Sequence, residues 1–392
     1  MFDAVRSRFL ETLYPLMKNP VDPKLRPLGP VGATPVVGRR DFLHAAGLVA
    51  IGGLCAAPLF GCGTKDGSAD SATAGPTPPA LLSAAEQSLA DAARKEGKLV
   101  LYTGSEESIV ANLSKAFQRR YGVSMEYQRL NSNEIQARYT AEAQAGRTVA
   151  DVVFTGDSEL FQVFNRKGWL AKLEPSGVPG LSAWPGDFKD GNTIIVSVIP
   201  YAMAVNVDRM KVPQDARDWS LLVSPEARSG IVTVDANLVN LLAIAAWDLL
   251  LRNNGDDFMK RIGRQQLNLV DSGPSAVQQL ASGAAKLYYP CSLTQAQSMI
   301  DQGAPIQTIV PSGVPYTGVM STAAVSKGAT HPNAARLFLA FMMTEEGQKI
   351  LNIVGSSPVN TPGTSPLRKG FTRPDFASTA ANRAKIIQLL RT

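Results

Sequence analysis

From Gly97 onward the apolar residues of this 392-residue chain switch repeatedly between a period of two and a period near four, which restricts the fold more than any other feature. Leu99-Val100-Leu101-Tyr102 reads as a short buried strand, and Ile109, Leu113 and Phe117 recur every four residues as a helix ending near Tyr121-Gly122. Val123 to Tyr127 is the next strand, Ile135 to Ala145 a helix, Asp151 to Phe154 a strand, and Leu160, Phe161 and Phe164 another helical face. Such a β-α-β-α-β series predicts a largely parallel sheet covered on both faces. A second series follows a long extended stretch, Thr193 to Asn206: strands at Ile231–Val234, Asn268–Asp271, Lys286–Tyr289 and Ile306–Val310, with an apolar helix at Leu238–Leu251. Val319–Val325 is extended again, Pro332–Met343 and Glu345–Val354 are helices, and a last helical stretch spans Ala380–Leu390. The predicted class is α/β, with two lobes connected through the extended stretches near 193–206 and 308–325.

Composition narrows the function. Hydrophobic residues make up 45% and charged residues 18%, which excludes a disordered or coiled-coil chain. The formal charge of +6 is partly an N-terminal excess: residues 1–61 hold seven Lys/Arg against four Asp/Glu, leaving 32 against 29 elsewhere, too even to argue for nucleic acid. Three cysteines and two histidines, His44 and His331, make a thiolate-imidazole zinc site a poor expectation. No GxxxxGK[ST], HExxH, GxSxG or GxGxxG is present, so no enzyme class and no cofactor is indicated. A monomer is expected.

The N-terminal 61 residues read as an export signal. Arg39-Arg40-Asp41-Phe42-Leu43 precedes an uncharged run, Ala45 to Phe60, interrupted by Gly47, Gly52, Gly53 and Pro58. It is short of the ~20 apolar residues a spanning helix needs and fits a signal core. Arg39 and Arg40 resemble a twin-arginine export signal and Leu59-Phe60-Gly61-Cys62 a lipobox, with Cys62 acylated as the mature N-terminus. Met17 is an alternative start to Met1. Residues 62–80 read as a flexible tether, because Gly63 to Pro79 contains no Val, Ile, Leu, Met or aromatic residue. The body then divides into 81–200 and 313–392 for the first lobe and its C-terminal tail, and 201–312 for the second.

The body resembles solute-binding proteins of ABC importers, in the subgroup related to bacterial ferric-iron-binding proteins. The resemblance is carried by Glu96-Gly97-Lys98-Leu99-Val100-Leu101-Tyr102-Thr103, by Ala150-Asp151-Val152-Val153-Phe154-Thr155-Gly156-Asp157, and by Lys327 to Ala335 leading into Phe338–Gln348. It implies a type 2 periplasmic binding fold, two α/β lobes joined by crossing strands with a small-molecule solute in the cleft between them, and an ABC permease as partner; the N-terminal signal independently implies the export machinery as partner and a periplasmic or cell-surface location.

Ligands of open α/β sheets sit beyond the carboxyl ends of strands, where helix starts present free N–H groups. That places Gly104, Ser105 and Glu106, then Gly156 and Asp157, then Asn237 and Ser275 as candidate ligand contacts, with plain N-capping as the competing role. Tyr201 stands on the crossing stretch, where relatives often carry a ligand-facing aromatic or arginine. Tyr288 and Tyr289 are adjacent on a strand and so point to opposite faces; Tyr289 is taken as the one facing the cleft. The ferric relatives supply a histidine in the first loop, a carboxylate after the third strand and two adjacent tyrosines. Here the nearest set is Glu106, Asp157, Tyr288 and Tyr289, so a polar anionic, zwitterionic or amine-bearing solute is favoured and iron is the alternative. An extracytoplasmic sensor and an enzyme using Cys291 with Glu106 are further alternatives. His331 reads as a surface cap.

Overall fold

A computed structural model describes residues 82–391, except 215, 217 and 238–240. Arg39, Arg40, Cys62 and the 62–80 tether lie outside the described residues. The first lobe begins with α1 (Ala84–Glu96), β1 (Lys98–Thr103), α2 (Glu107–Tyr121), β2 (Ser124–Arg129), α3 (Ser132–Gln144), β3 (Val152–Thr155) and α4 (Ser158–Arg166). β1 pairs in parallel with β2 and β3. Both faces of β1 are covered, as its apolar run requires: Leu99 and Leu101 pack with Phe117 and Phe338, whereas Val100 and Tyr102 pack with Ile135, Tyr139 and Phe164. α1 does not figure in the periodicity above.

β4 (Ile194–Asn206) passes from one lobe to the other. The second lobe comprises β5 (Ile231–Val234), α5 (Leu241–Gly263), β6 (Asn268–Val270), α6 (Gly273–Ala281), β7 (Leu287–Ser292), α7 (Leu293–Ile300) and β8 (Ile306–Ile309). β9 (Gly318–Val325), α8 (Pro332–Met343) and α9 (Glu345–Leu351) return to the first lobe, followed by the two-residue strands β10 (Ser356–Ser357) and β11 (Ser365–Pro366) and by α10 (Phe376–Leu390). The strand order β2-β1-β3-β9-β4-β7-β5-β6 is continuous because β4 serves both lobes. From Ile194 to Pro200 it runs antiparallel to β9, and from Tyr201 onward it runs antiparallel to β7 and β8. Each sheet is therefore parallel at one side and antiparallel around the crossing, more mixed than the sequence pattern suggests.

Two expectations need correction. α10 does not complete the first lobe: Ile386, Leu389 and Leu390 join the second-lobe core with Trp247, Leu250 and Leu251 of α5. His331 is half-buried rather than a free surface cap, with Nδ1 2.8 Å from Oδ2 of the fully buried Asp151. That carboxylate also accepts the backbone N–H groups of Val100 (2.8 Å) and His331 (2.9 Å), tying β1 and β3 to the start of α8. α5 runs on past Leu251 through a break at Gly255, φ +78. Among the described residues no helix is long and apolar enough to cross a membrane.

Candidate functional site

Two strand ends of the first lobe are built alike. At Thr103-Gly104-Ser105 and at Thr155-Gly156-Asp157 the threonine Oγ1 accepts the N–H two residues on, from Ser105 at 3.1 Å and Asp157 at 3.4 Å. Each turn then feeds a helix, α2 or α4. Beside them lies a cavity of about 340 Å³ whose lining includes Gly104, Asn131, Ser132, Thr155, Gly156 and Asp157, together with Glu159 and Phe376. Gly156 is required by close approach: a Cβ there would stand 2.6 Å from Cγ1 of Val319.

Val319 and Leu242 also line a second cavity of about 310 Å³, whose other walls include Tyr201, Gly273, Tyr288, Ser292 and Gln295 from the second lobe. The two cavities adjoin across these shared residues and form one cleft. Helix starts surround it: α3 and α4 on one side, α5, α6 and α7 on the other.

The walls differ in charge. Among the described residues the first-lobe cavity carries Asp157 and Glu159 and no lysine or arginine, and the second-lobe cavity has no charged side chain. Partial burial, and after it the charge of Asp157, holds the Glu159 carboxyl above the usual carboxylate range. Asp157 caps α4 by accepting the N–H of Glu159 at 3.1 Å, which leaves its second oxygen for another partner. Burial, with Cys291 second, raises the phenols of Tyr201 and Tyr288, so both are neutral donors at pH 7.

Of the residues singled out from sequence, Gly104, Gly156 and Asp157 line the first cavity and Tyr201 the second. Ser105 is not among the residues lining either cavity, and its carbonyl accepts from Arg129 Nε at 2.8 Å. Glu106 is exposed at the start of α2 and caps nothing. Asn237 is exposed and bonds to Asp235 through both its N–H and its side-chain amide. The Ser275 N–H is taken by the Ser272 hydroxyl at 3.3 Å, and Gly273 lines the cleft in its stead.

Tyr289 is in the core. It is 1% exposed, its hydroxyl donates to the Ala246 carbonyl at 3.3 Å, and its ring meets Trp219 and Trp247 edge-on. The alternation of β7 is the reason: Leu287 and Tyr289 face α5, whereas Tyr288 faces α6 and α7 and opens into the cleft. Past Tyr289 the ladder bulges, with Ala202 opposite Cys291 but Ala204 opposite Tyr288, which returns Cys291 to the face of Tyr288. The set Glu106, Asp157, Tyr288 and Tyr289 does not converge, and among the described residues no three His, Cys, Asp or Glu are grouped to hold a metal ion. The Cys291–Glu106 pair is not assembled either: Cys291 is fully buried, its thiol pushed up to about 12 by burial, and Glu106 is exposed. Asn131, Ser132, Ser292, Gln295 and Phe376 escaped the sequence reading; the Asn131-x-x-Glu134 capping box was a legible marker for the first two.

Similar structures share this architecture. Iron-bound HitA from Pseudomonas aeruginosa matches at TM-score 0.56 and 18% identity, covering 75% of this chain and 99% of that one. The substrate-binding protein of an ABC transporter from Agrobacterium tumefaciens matches at TM-score 0.60 and 16% identity, over 75% and 94%. AfuA from Actinobacillus pleuropneumoniae, with fructose-6-phosphate bound, matches at 0.54 and 21%, over 75% and 96%. No curated protein matches the sequence. Residues 112–362 match the family of bacterial extracellular solute-binding proteins, and with a match over more than half its length the chain belongs to that family.

Proposed function

We propose that this protein is a lipid-anchored extracytoplasmic receptor that captures a small zwitterionic or amine-bearing polar solute and delivers it to an ABC permease. The observation that carries the reading is the asymmetry of the cleft. Asp157 and Glu159 on the first-lobe wall favour a cationic group, while the second-lobe wall offers the Tyr201 and Tyr288 hydroxyls and the starts of α6 and α7, uncharged donors suited to a carboxylate or other anionic group. β4 changes partners between Pro200 and Tyr201, so a rotation concentrated there brings the two walls together.

Iron held by paired tyrosines is the competing reading, and it meets a geometric obstacle because Tyr288 and Tyr289 lie on opposite faces of β7. A ferric titration decides between them: no tyrosinate charge-transfer band is expected, and a band lost in Tyr288→Phe and Tyr289→Phe would establish iron. Mass spectrometry of the solute retained through native purification tests the class directly. Anchoring rests on the sequence: Cys62→Ser should release the protein from the membrane fraction and Arg39→Lys with Arg40→Lys should block export, and normal attachment of the serine variant would refute the anchor.

A further inference from the structure

The lobes are linked by more than β4 and the 310–317 segment. After β10 pairs with the first-lobe half of β4 at Val198, the chain returns to the second lobe as α10, and on the way it is zipped to the 310–317 crossing. Tyr316 N–H donates to the Gly370 carbonyl (3.0 Å), Thr372 N–H to the Tyr316 carbonyl (2.8 Å) and Gly313 N–H to the Lys369 carbonyl (3.2 Å). The Tyr316 hydroxyl donates to the Arg368 carbonyl at 2.8 Å, and Arg368 Nη1 to the Val310 carbonyl at 2.7 Å. Gly370, φ +104, lies so close that a Cβ would stand 2.2 Å from the Val314 carbonyl oxygen. Beyond this zipper Phe376, the first residue of α10, lines both the first-lobe cavity and a third cavity of about 270 Å³ that also includes Asp190 and Arg373, with Ser158 likewise common to the two.

We propose that residues 368–376 form a third interlobe link that sets the hinge, and that Phe376 is where this link meets the bound solute. The proposal rests on the solute-binding reading above. Rotation of the lobes must move the 310–317 crossing, and the strap bonded along it moves too, while α10 stays fixed on α5. Phe376 is thereby displaced relative to the rim formed by Asp157 and Ser158. A solute touching both walls favours one hinge angle over others by its differential contacts.

The test measures the distance between spin labels at Lys115→Cys on α2 and Asp257→Cys on α5, both exposed, in the full chain carrying Cys55→Ser and Cys62→Ser; buried Cys291 stays unlabelled. Gly370→Ala, and the milder Arg368→Ala, should shift or broaden the distance distribution with the far-ultraviolet dichroism retained. Phe376→Ala should leave the solute-free distribution in place and weaken by about tenfold whichever of glycine, L-arginine, L-glutamate or putrescine raises the melting temperature of the parent. An unchanged distribution in both strap variants overturns the proposal, and so does parental affinity in Phe376→Ala. If none of the four solutes acts on the parent, the solute class proposed above is wrong and the distance measurement alone decides the strap.

Discussion

Removing the Asp248 side chain should loosen α10 from α5 without disturbing the first lobe. Asp248 is fully buried, and its two oxygens have separate duties: Oδ1 accepts from Asn382 Nδ2 at 2.8 Å and from Ser378 Oγ at 3.1 Å, both on α10, while Oδ2 accepts from Arg252 Nε at 2.9 Å within α5. Asp248→Ala leaves the Ser378 hydroxyl without its acceptor and the Asn382 amide with only Ser378 Oγ, at 3.3 Å. Breaking a buried charged network by deleting one partner costs about 3–5 kcal/mol. Because the Arg252 side chain is 35% exposed and can turn to water, the lower end, about 3 kcal/mol, is expected. Asp248→Asn keeps an acceptor oxygen for Ser378 and Asn382 and loses only the charged bond to Arg252, for about 1–2 kcal/mol. Urea unfolding gives the totals, and hydrogen exchange shows where protection is lost, which should be α10 first. A cost below ~1 kcal/mol for the alanine, or an asparagine worse than the alanine, would refute the division of labour between the two oxygens.

Gly156→Ala should destabilise by about 1–3 kcal/mol by driving a Cβ against the branched Val319 side chain, and Val319→Ala in the same chain should recover most of the loss; additive costs in thermal melts would disprove that contact. Cys291 should resist iodoacetamide at pH 8 while folded and react on unfolding, because burial keeps its thiol protonated. Burial raises Cys291 from about 9 to about 12, and Tyr139 and Tyr316 from about 10 to about 12, so the stability they contribute is complete below pH ~8.5 and is lost as pH climbs toward 12. Urea midpoints that stay flat from pH 8 to 11 would contradict this.

How much of the fold was legible follows from what carries the periodicity. β5 and α8 have the predicted limits, Ile231–Val234 and Pro332–Met343, because large apolar residues mark their buried faces. α1 escaped because its fully buried residues are alanines, Ala90 and Ala93, which leave almost no apolar stripe; its readable signal was Ser83 three residues before Glu86, an N-terminal cap whose hydroxyl accepts the Glu86 N–H at 3.2 Å. α10 was legible as a helix but not as a second-lobe element, since a stripe of Ile386, Leu389 and Leu390 fits any apolar groove and the choice of α5 is made by the polar contacts of Asp248.

The cleft shows the same division. The strand-end rule leads to Gly104, Gly156 and Asp157, because a Thr-Gly turn between a buried strand and a helix has its local geometry written in the sequence. It fails for Glu106, Asn237 and Ser275, which are also near helix starts, since whether a cap faces the opposite lobe depends on how the helix is rotated in its sheet. For Tyr288 and Tyr289 the alternation of a strand states that only one can meet a given ligand but is silent on which. Both faces of β7 are apolar and covered, so the choice is made by volume and polarity of the neighbours: the face under α5 supplies Trp219 and Trp247 to enclose a ring completely, and the other face supplies Gln295, whose Oε1 accepts the Tyr288 hydroxyl at 3.3 Å at the edge of the cleft. The tyrosine that opens into the cleft is thus the one whose hydroxyl has a polar side chain to answer it, and Tyr289, answered only by a helix carbonyl, is a structural residue of the second lobe.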